Sequence, residues 1–173
     1  MNIAGKIIAA WGLVIALAWG YLHLDKINFF GTGFTTSAMI WWTALMVILL
    51  AATYKWFPNA MKNKVVQAWT LIIAVGLLIN YLNLFLILPA SLQLYSYYHS
   101  WLLLGAIGFA YTAMKWTPKS APIYWAAAAL NAVVFLYALL YPTDAFFNAN
   151  SLLLAGLVQG VPTLVDGLLN YNG

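Results

Sequence analysis

KWFP at Lys55–Pro58 and KWTP at Lys115–Pro118 are the stretches on which the reading of the fold turns. Trp41 and Trp101 precede them at the same offset of sixty residues, and each copy ends a long apolar run. A Trp at such a boundary sits at head-group level, and a Lys beside it stays in water. A Pro two residues on stops the helix. Each signature therefore marks a helix leaving a bilayer, and the recurrence predicts a tandem repeat of two-helix units.

Outward from these marks the chain divides into six apolar runs. They are Gly5–Leu22, Ala38–Tyr54, Val66–Leu88, Tyr98–Lys115, Pro122–Tyr141 and Ser151–Leu169. Each is near the ~20 residues that cross a ~30 Å hydrocarbon core. Pro58, Pro89, Pro118, Pro122 and Pro142 fall at or between runs, and only Pro162 lies inside one. The repeat places runs 2–3 on runs 4–5 as hairpins of one orientation, which is a parallel repeat and not an inverted one.

Composition agrees. The 173 residues are 65% hydrophobic and 6% charged, with a mean hydropathy of +0.89. A soluble domain carries about 25% charged residues, so lipid is the expected solvent for most of this surface. The expected fold class is all-α, a polytopic membrane bundle of about six helices forming one domain over residues 1–173. Near the N-terminus Lys6 is followed by an apolar stretch, as in a signal peptide. It ends in YLHLDK without a small-x-small cleavage site, so it reads as a retained helix.

Lys6, Lys55, Lys62, Lys64, Lys115 and Lys119 gather at one set of run ends, against Lys26 alone at the other. The positive-inside rule then predicts both termini inside and a multi-pass protein of the cell membrane. The net charge is +4, but the lysines form no basic stripe, so nucleic acid is not an expected partner. Arg, Glu and Cys are absent. That removes bidentate anion grips, thiolate chemistry and disulfides.

Run 6 carries the clearest chemistry. Gln159, Thr163, Asp166 and Asn170 share one helical stripe. Asp166 is the only acid inside any run, and a charge at the bilayer centre costs roughly 3 kcal/mol or more. Such a residue faces protein or water, although a place near the inner surface would leave it simply solvated or hydrogen-bonded. Pro162 frees the carbonyl of Val158 four residues back, and Gly156 with Gly160 forms a close-packing GxxxG. Asn80, Asn83 and Asn131 are further amides within runs. They serve either as interhelical glue or, with Gln159, Thr163 and Asp166, as the lining for an uncharged solute.

His23 and His99 lie at similar depth on small-residue faces. Two imidazoles could ligate one haem iron, or hold a metal with Asp25. Small faces bring helices together and leave little room for a porphyrin, so no haem and no metal is expected. The abundant aromatics are read mostly as interface belts. No HExxH, GxSxG, P-loop or GxGxxG occurs, which disfavours catalysis and nominates no catalytic residue.

The expected function is binding or translocating a small uncharged or weakly polar solute. The alternatives are an accessory subunit of a larger membrane complex, such as a respiratory one, and a bis-His haem electron carrier. The expected partners are the bilayer, the small solute, and membrane proteins or further copies of the chain.

Overall fold

A computed structural model describes residues 2–27, 36–57, 59–85, 87, 89 and 98–170, apart from the side chains of residues 25 and 36–38. It holds six long helices: α1 Ile3–Lys26, α2 Thr36–Trp56, α3 Lys64–Leu84, α4 Tyr98–Lys115, α5 Ala121–Leu140 and α6 Ala145–Leu169. A short 3₁₀ turn, Ala60–Lys62, links α2 to α3. Most of the expected outer loops before α2 and α4 fall outside the described residues. Helices satisfy every internal backbone hydrogen bond, which lipid requires. Five of the six are long and apolar enough to cross a membrane. The exception, α4, opens on Tyr98, His99 and Ser100. The protein is a multi-pass helical membrane bundle.

Local chemistry sets the boundaries. Asn59 takes a left-handed φ of 54° between α2 and α3, a conformation Asn tolerates better than most residues. Asn63 then caps α3, accepting from the N–H of Val65 at 2.9 Å and of Val66 at 3.2 Å. Pro122 sits in the first turn of α5, where its missing N–H costs nothing. The last apolar run begins at Ser151, which places PTDAFFNAN in the loop before it. The helix in fact starts at Ala145, because Asp144 accepts from the N–H of Phe147 at 2.6 Å. The polar residues that suggested a loop are accommodated within it: Asn150 Nδ2 donates to the carbonyl of Phe146 at 2.9 Å.

Consecutive helices pack antiparallel, and α1 closes the ring against α6. Tyr54 bonds Thr70 at 2.8 Å and Thr43 bonds Tyr81 at 2.9 Å across α2 and α3. Phe109 stacks on Tyr124 across α4 and α5, with ring centroids 5.8 Å apart. The α1–α6 seam is the tightest. A Cβ on Gly12 would lie 2.1 Å from Leu164 N, one on Gly160 2.7 Å from Ala16 N, and one on Gly167 2.3 Å from Ala9 N. Only hydrogen fits at those points, so the GxxxG pair Gly156 and Gly160 is a true contact surface. The face Ala9, Gly12 and Ala16 meets it; Gly20, one turn further along α1, has open space around it. At the far end Lys26 Nζ donates to the Asn148 carbonyl and to Ser151 Oγ, the latter at 3.3 Å. Desolvation there lowers the Lys26 pKa from its ordinary value.

Six of the nine tryptophans fall at the extremes of exposure, and Trp11, Trp69 and Trp116 are half-buried. Trp41, Trp56 and Trp125 face outward, as belt residues would. Trp19, Trp42 and Trp101 are buried in the core, so the belt reading fails for them. The reason is volume: the ring leaves a wide centre that small side chains do not fill, and large rings pack there. Trp42 meets Trp19 at 5.0 Å and Trp101 at 5.6 Å, while Gly76 makes room for the Trp101 ring. Phe57 and Trp116, from the two KW-x-P segments, pack at 5.8 Å. Both signatures therefore lie at the same end of the bundle.

Candidate functional site

Three bonds of one kind recur at that lysine-rich end. Trp11 Nε1 on α1 donates to Thr53 Oγ1 on α2 at 2.7 Å. Trp69 Nε1 on α3 donates to Thr112 Oγ1 on α4 at 2.9 Å. Tyr124 on α5 donates its hydroxyl proton to Asp166 Oδ2 on α6 at 2.8 Å. The paired residues are 42, 43 and 42 positions apart. Each helix hairpin thus carries an aromatic donor on its first helix and an oxygen on its second. The spacing between successive pairs is close to that of the KW-x-P recurrence. The three bridges form a collar around the interior.

Above the collar lies an amide network. Gln159 Oε1 accepts from Trp19 Nε1 at 3.0 Å. Gln159 Nε2 donates to the Trp101 carbonyl at 2.9 Å and to Asn131 Oδ1 at 3.1 Å. Asn131 Nδ2 donates to the Ala127 carbonyl at 2.9 Å and to the Val158 carbonyl at 3.0 Å. Val158 is the residue whose carbonyl Pro162 leaves without its helical donor, so Asn131 supplies the missing hydrogen from the next helix. Gly105 admits the network, since a Cβ there would lie 2.9 Å from Asn131 Oδ1. One glutamine ties α1, α4, α5 and α6 together at mid-depth.

From the network down past the collar toward the lysine-rich end runs a cavity of ≈ 130 Å³, with Ile7, Phe57 and Val65 at its lower end. Trp11, Trp42, Trp69, Trp101 and Trp116 line it, with aliphatic side chains such as Met46, Leu50 and Ile73. Its polar edges are mostly turned to internal partners. Thr53 and Thr112 donate back to the carbonyls of Leu49 and Gly108 at 2.8 and 2.7 Å. Thr163 donates to the Gln159 carbonyl at 3.0 Å. Trp42, another residue of the wall, is 4% exposed, and its Nε1 is buried without a hydrogen-bond partner. An unmade bond to a buried donor costs about 1–3 kcal/mol.

The residues nominated from the sequence separate into groups. Gln159 and Thr163 line the cavity. Asn131 is fully buried behind it, bonded to Gln159. Asp166 is fully buried, held by Tyr124 and by Asn170 Nδ2 at 2.7 Å; it reaches the cavity only through the Tyr124 ring. Asn80 and Asn83 are buried near the opposite end of α3, away from the cavity wall. His99 is buried and stacks on Tyr98 at 4.1 Å, while His23 Nδ1 is buried with no hydrogen-bond partner. No group of three or more His, Cys, Asp or Glu side chains that could hold a metal occurs among the described residues. Asp25's side chain is not among them.

Sequence reasoning missed Trp11, Thr53, Trp69 and Thr112. The signal was present, because both pairs shift together by nearly the offset that relates Lys55 to Lys115. The chain matches no protein-family model, no curated protein and no solved structure, so its function is argued from its own residues.

Proposed function

We propose that this protein binds a small, uncharged, largely apolar molecule inside the bilayer of the cell membrane, with the lysine-rich end facing the cytoplasm. The observation that carries the reading is the tryptophan-lined cavity itself. Membrane bundles gain from tight packing between helices, and an unfilled volume forfeits dispersion contacts on every wall. A cavity of ≈ 130 Å³ is comparable with the engineered apolar cavity of about 150 Å³ that takes up benzene. Aromatic walls offer a large contact area and stack on planar ligands.

The amide network favours binding over passage of a polar solute. Gln159 and Asn131 use both their amide hydrogens and their carbonyl oxygens within the protein. A solute seeking polar contacts would have to break those bonds at mid-depth. The collar threonines are engaged in the same way. Gln159 and Thr163 then act as wall and support, and Asp166 sets the position of Tyr124.

The test uses purified protein in lipid nanodiscs and para-fluoroethylbenzene, followed by fluorine NMR against empty nanodiscs. Saturable binding beyond lipid partitioning is expected, and Leu50→Trp, which fills the cavity, should remove it. Partitioning indistinguishable from empty nanodiscs would refute the reading.

A further inference from the structure

We infer that Thr163 Oγ1 is the polar contact this cavity offers its occupant, and that the ligand is an apolar molecule carrying one hydroxyl donor, a phenol or a small alcohol. This rests on the cavity being a binding site and adds the chemistry of its occupant. Among the described residues, the hydroxyl and amide side chains of the wall are Thr53, Thr112, Tyr124, Gln159 and Thr163. The first four tie helices together. Thr53 and Thr112 accept from Trp11 and Trp69, and Tyr124 donates to Asp166. Gln159 bonds Trp19, Trp101 and Asn131. Thr163 bonds only its own helix: its hydroxyl donates to the Gln159 carbonyl one turn back at 3.0 Å. The Thr163 oxygen receives no donor among the described residues, so it keeps its lone pairs for a ligand.

Its position makes that oxygen reachable. Thr163 is half-buried, while Gln159 and Asp166 on the same helical stripe are buried. The outer side of α6 carries the exposed Leu157, Val161 and Leu168. Helical spacing turns Thr163 away from them and toward the interior, so the surface it retains opens into the cavity. It stands about 6 Å along the axis from Gln159 and about 4.5 Å from Asp166, between the amide network and the Tyr124 bridge. The donors of the wall are spent. Trp11, Trp69 and Tyr124 bond protein oxygens, and Gln159 gives its amide hydrogens to Trp101 and Asn131. Thr53 and Thr112 donate to the Leu49 and Gly108 carbonyls. Trp101 and Trp116 have interactions of their own, and Trp42 Nε1 is buried beyond a ligand's reach. A hydroxyl buried without a bond is costly. Here a ligand hydroxyl gains one at Thr163, whereas an ether or ketone oxygen gains none.

Two probes of nearly the same shape test this: para-fluorophenol and para-fluorotoluene, titrated into the protein in nanodiscs and read by fluorine NMR. Thr163→Val keeps the shape of the side chain and removes its oxygen. It should weaken the phenol about fivefold, the size of one neutral hydrogen bond, and leave the toluene unchanged. Thr163→Ser keeps the oxygen and loses the methyl, and it should hold the phenol as the native protein does. Unchanged phenol binding in Thr163→Val would overturn the anchor and leave the cavity reading standing. So would equal weakening of both probes, or a phenol loss in Thr163→Ser as large as in Thr163→Val, since either places the cause in packing. Native protein that binds the toluene and not the phenol would overturn the ligand class alone. Binding of neither probe would remove the cavity reading along with the inference.

Discussion

Gly12→Ala and Gly20→Ala make the same change eight residues apart on α1, and opposite effects are expected. At Gly12 the new methyl would sit 2.1 Å from Leu164 N and 2.7 Å from the Gly160 carbonyl. Ordinary contact begins near 3.4 Å, so α1 and α6 must part locally by about 1.3 Å. That parting also loosens the neighbouring contacts at Gly160 and Gly167, where a methyl would already meet backbone. Overpacking of this kind costs about 1–3 kcal/mol, sometimes more. The gain in helix propensity from Gly to Ala offsets up to ~1 kcal/mol, leaving a net loss of about 2 kcal/mol when so close a clash with backbone takes the top of that range. At Gly20 nothing lies within 4 Å of the added carbon, so only the propensity gain of up to ~1 kcal/mol remains. Reversible unfolding in mixed micelles, followed by circular dichroism, measures both. Equal stability of the two variants would refute the α1–α6 packing.

The Pro162–Asn131 compensation predicts a coupled pair. Asn131→Leu should cost less when Pro162→Ala is also present, because residue 162 then supplies the Val158 carbonyl with its own N–H. A coupling of about 1 kcal/mol is expected in a double-mutant cycle, and strict additivity would contradict the assigned bond. At the third collar bridge, Asp166→Thr should keep the fold, since threonine holds that place in the other two. Asp166→Leu should lose about 1–3 kcal/mol by stranding the Tyr124 hydroxyl; the same unfolding assay compares them. For orientation, single cysteines at Lys119 and Thr143 suit this cysteine-free chain, both positions being exposed. Only Thr143→Cys should react with an impermeant reagent added to intact cells, and the reverse pattern would invert the topology.

The helices were legible because lipid enforces them. Apolar runs of spanning length with proline and lysine punctuation give six elements, and Tyr98–Lys115 agrees to the residue. The start of α6 was obscured because Asn148 and Asn150 suggested a loop, whereas the Asp144 cap decides it. The stripe of Gln159, Thr163 and Asp166 could be read from spacing alone. Its partners could not, because Trp19, Trp101 and Asn131 lie on three other helices and only the ring order brings them to Gln159. The cavity was hidden for a related reason. A tryptophan in a membrane sequence reads as a belt residue, and nothing local to Trp42 distinguishes it from its neighbour Trp41. Yet the first is 4% and the second 62% exposed. The small-residue face of α1 was visible, but only the partner surface on α6 decides that Gly12 is in contact and Gly20 is not.

The central claim is that a small apolar molecule occupies the tryptophan-lined interior. Fluorine NMR of protein labelled throughout with fluorotryptophan, each resonance assigned by single Trp→Phe changes, tests it most directly. On titration with ethylbenzene in nanodiscs, the resonances of Trp42, Trp69 and Trp101 should move together along one saturable curve. Those of the outward-facing Trp41, Trp56 and Trp125 should show only the linear drift of lipid partitioning. Uniform drift of all six resonances, or saturable shifts confined to the outward three, would contradict the account.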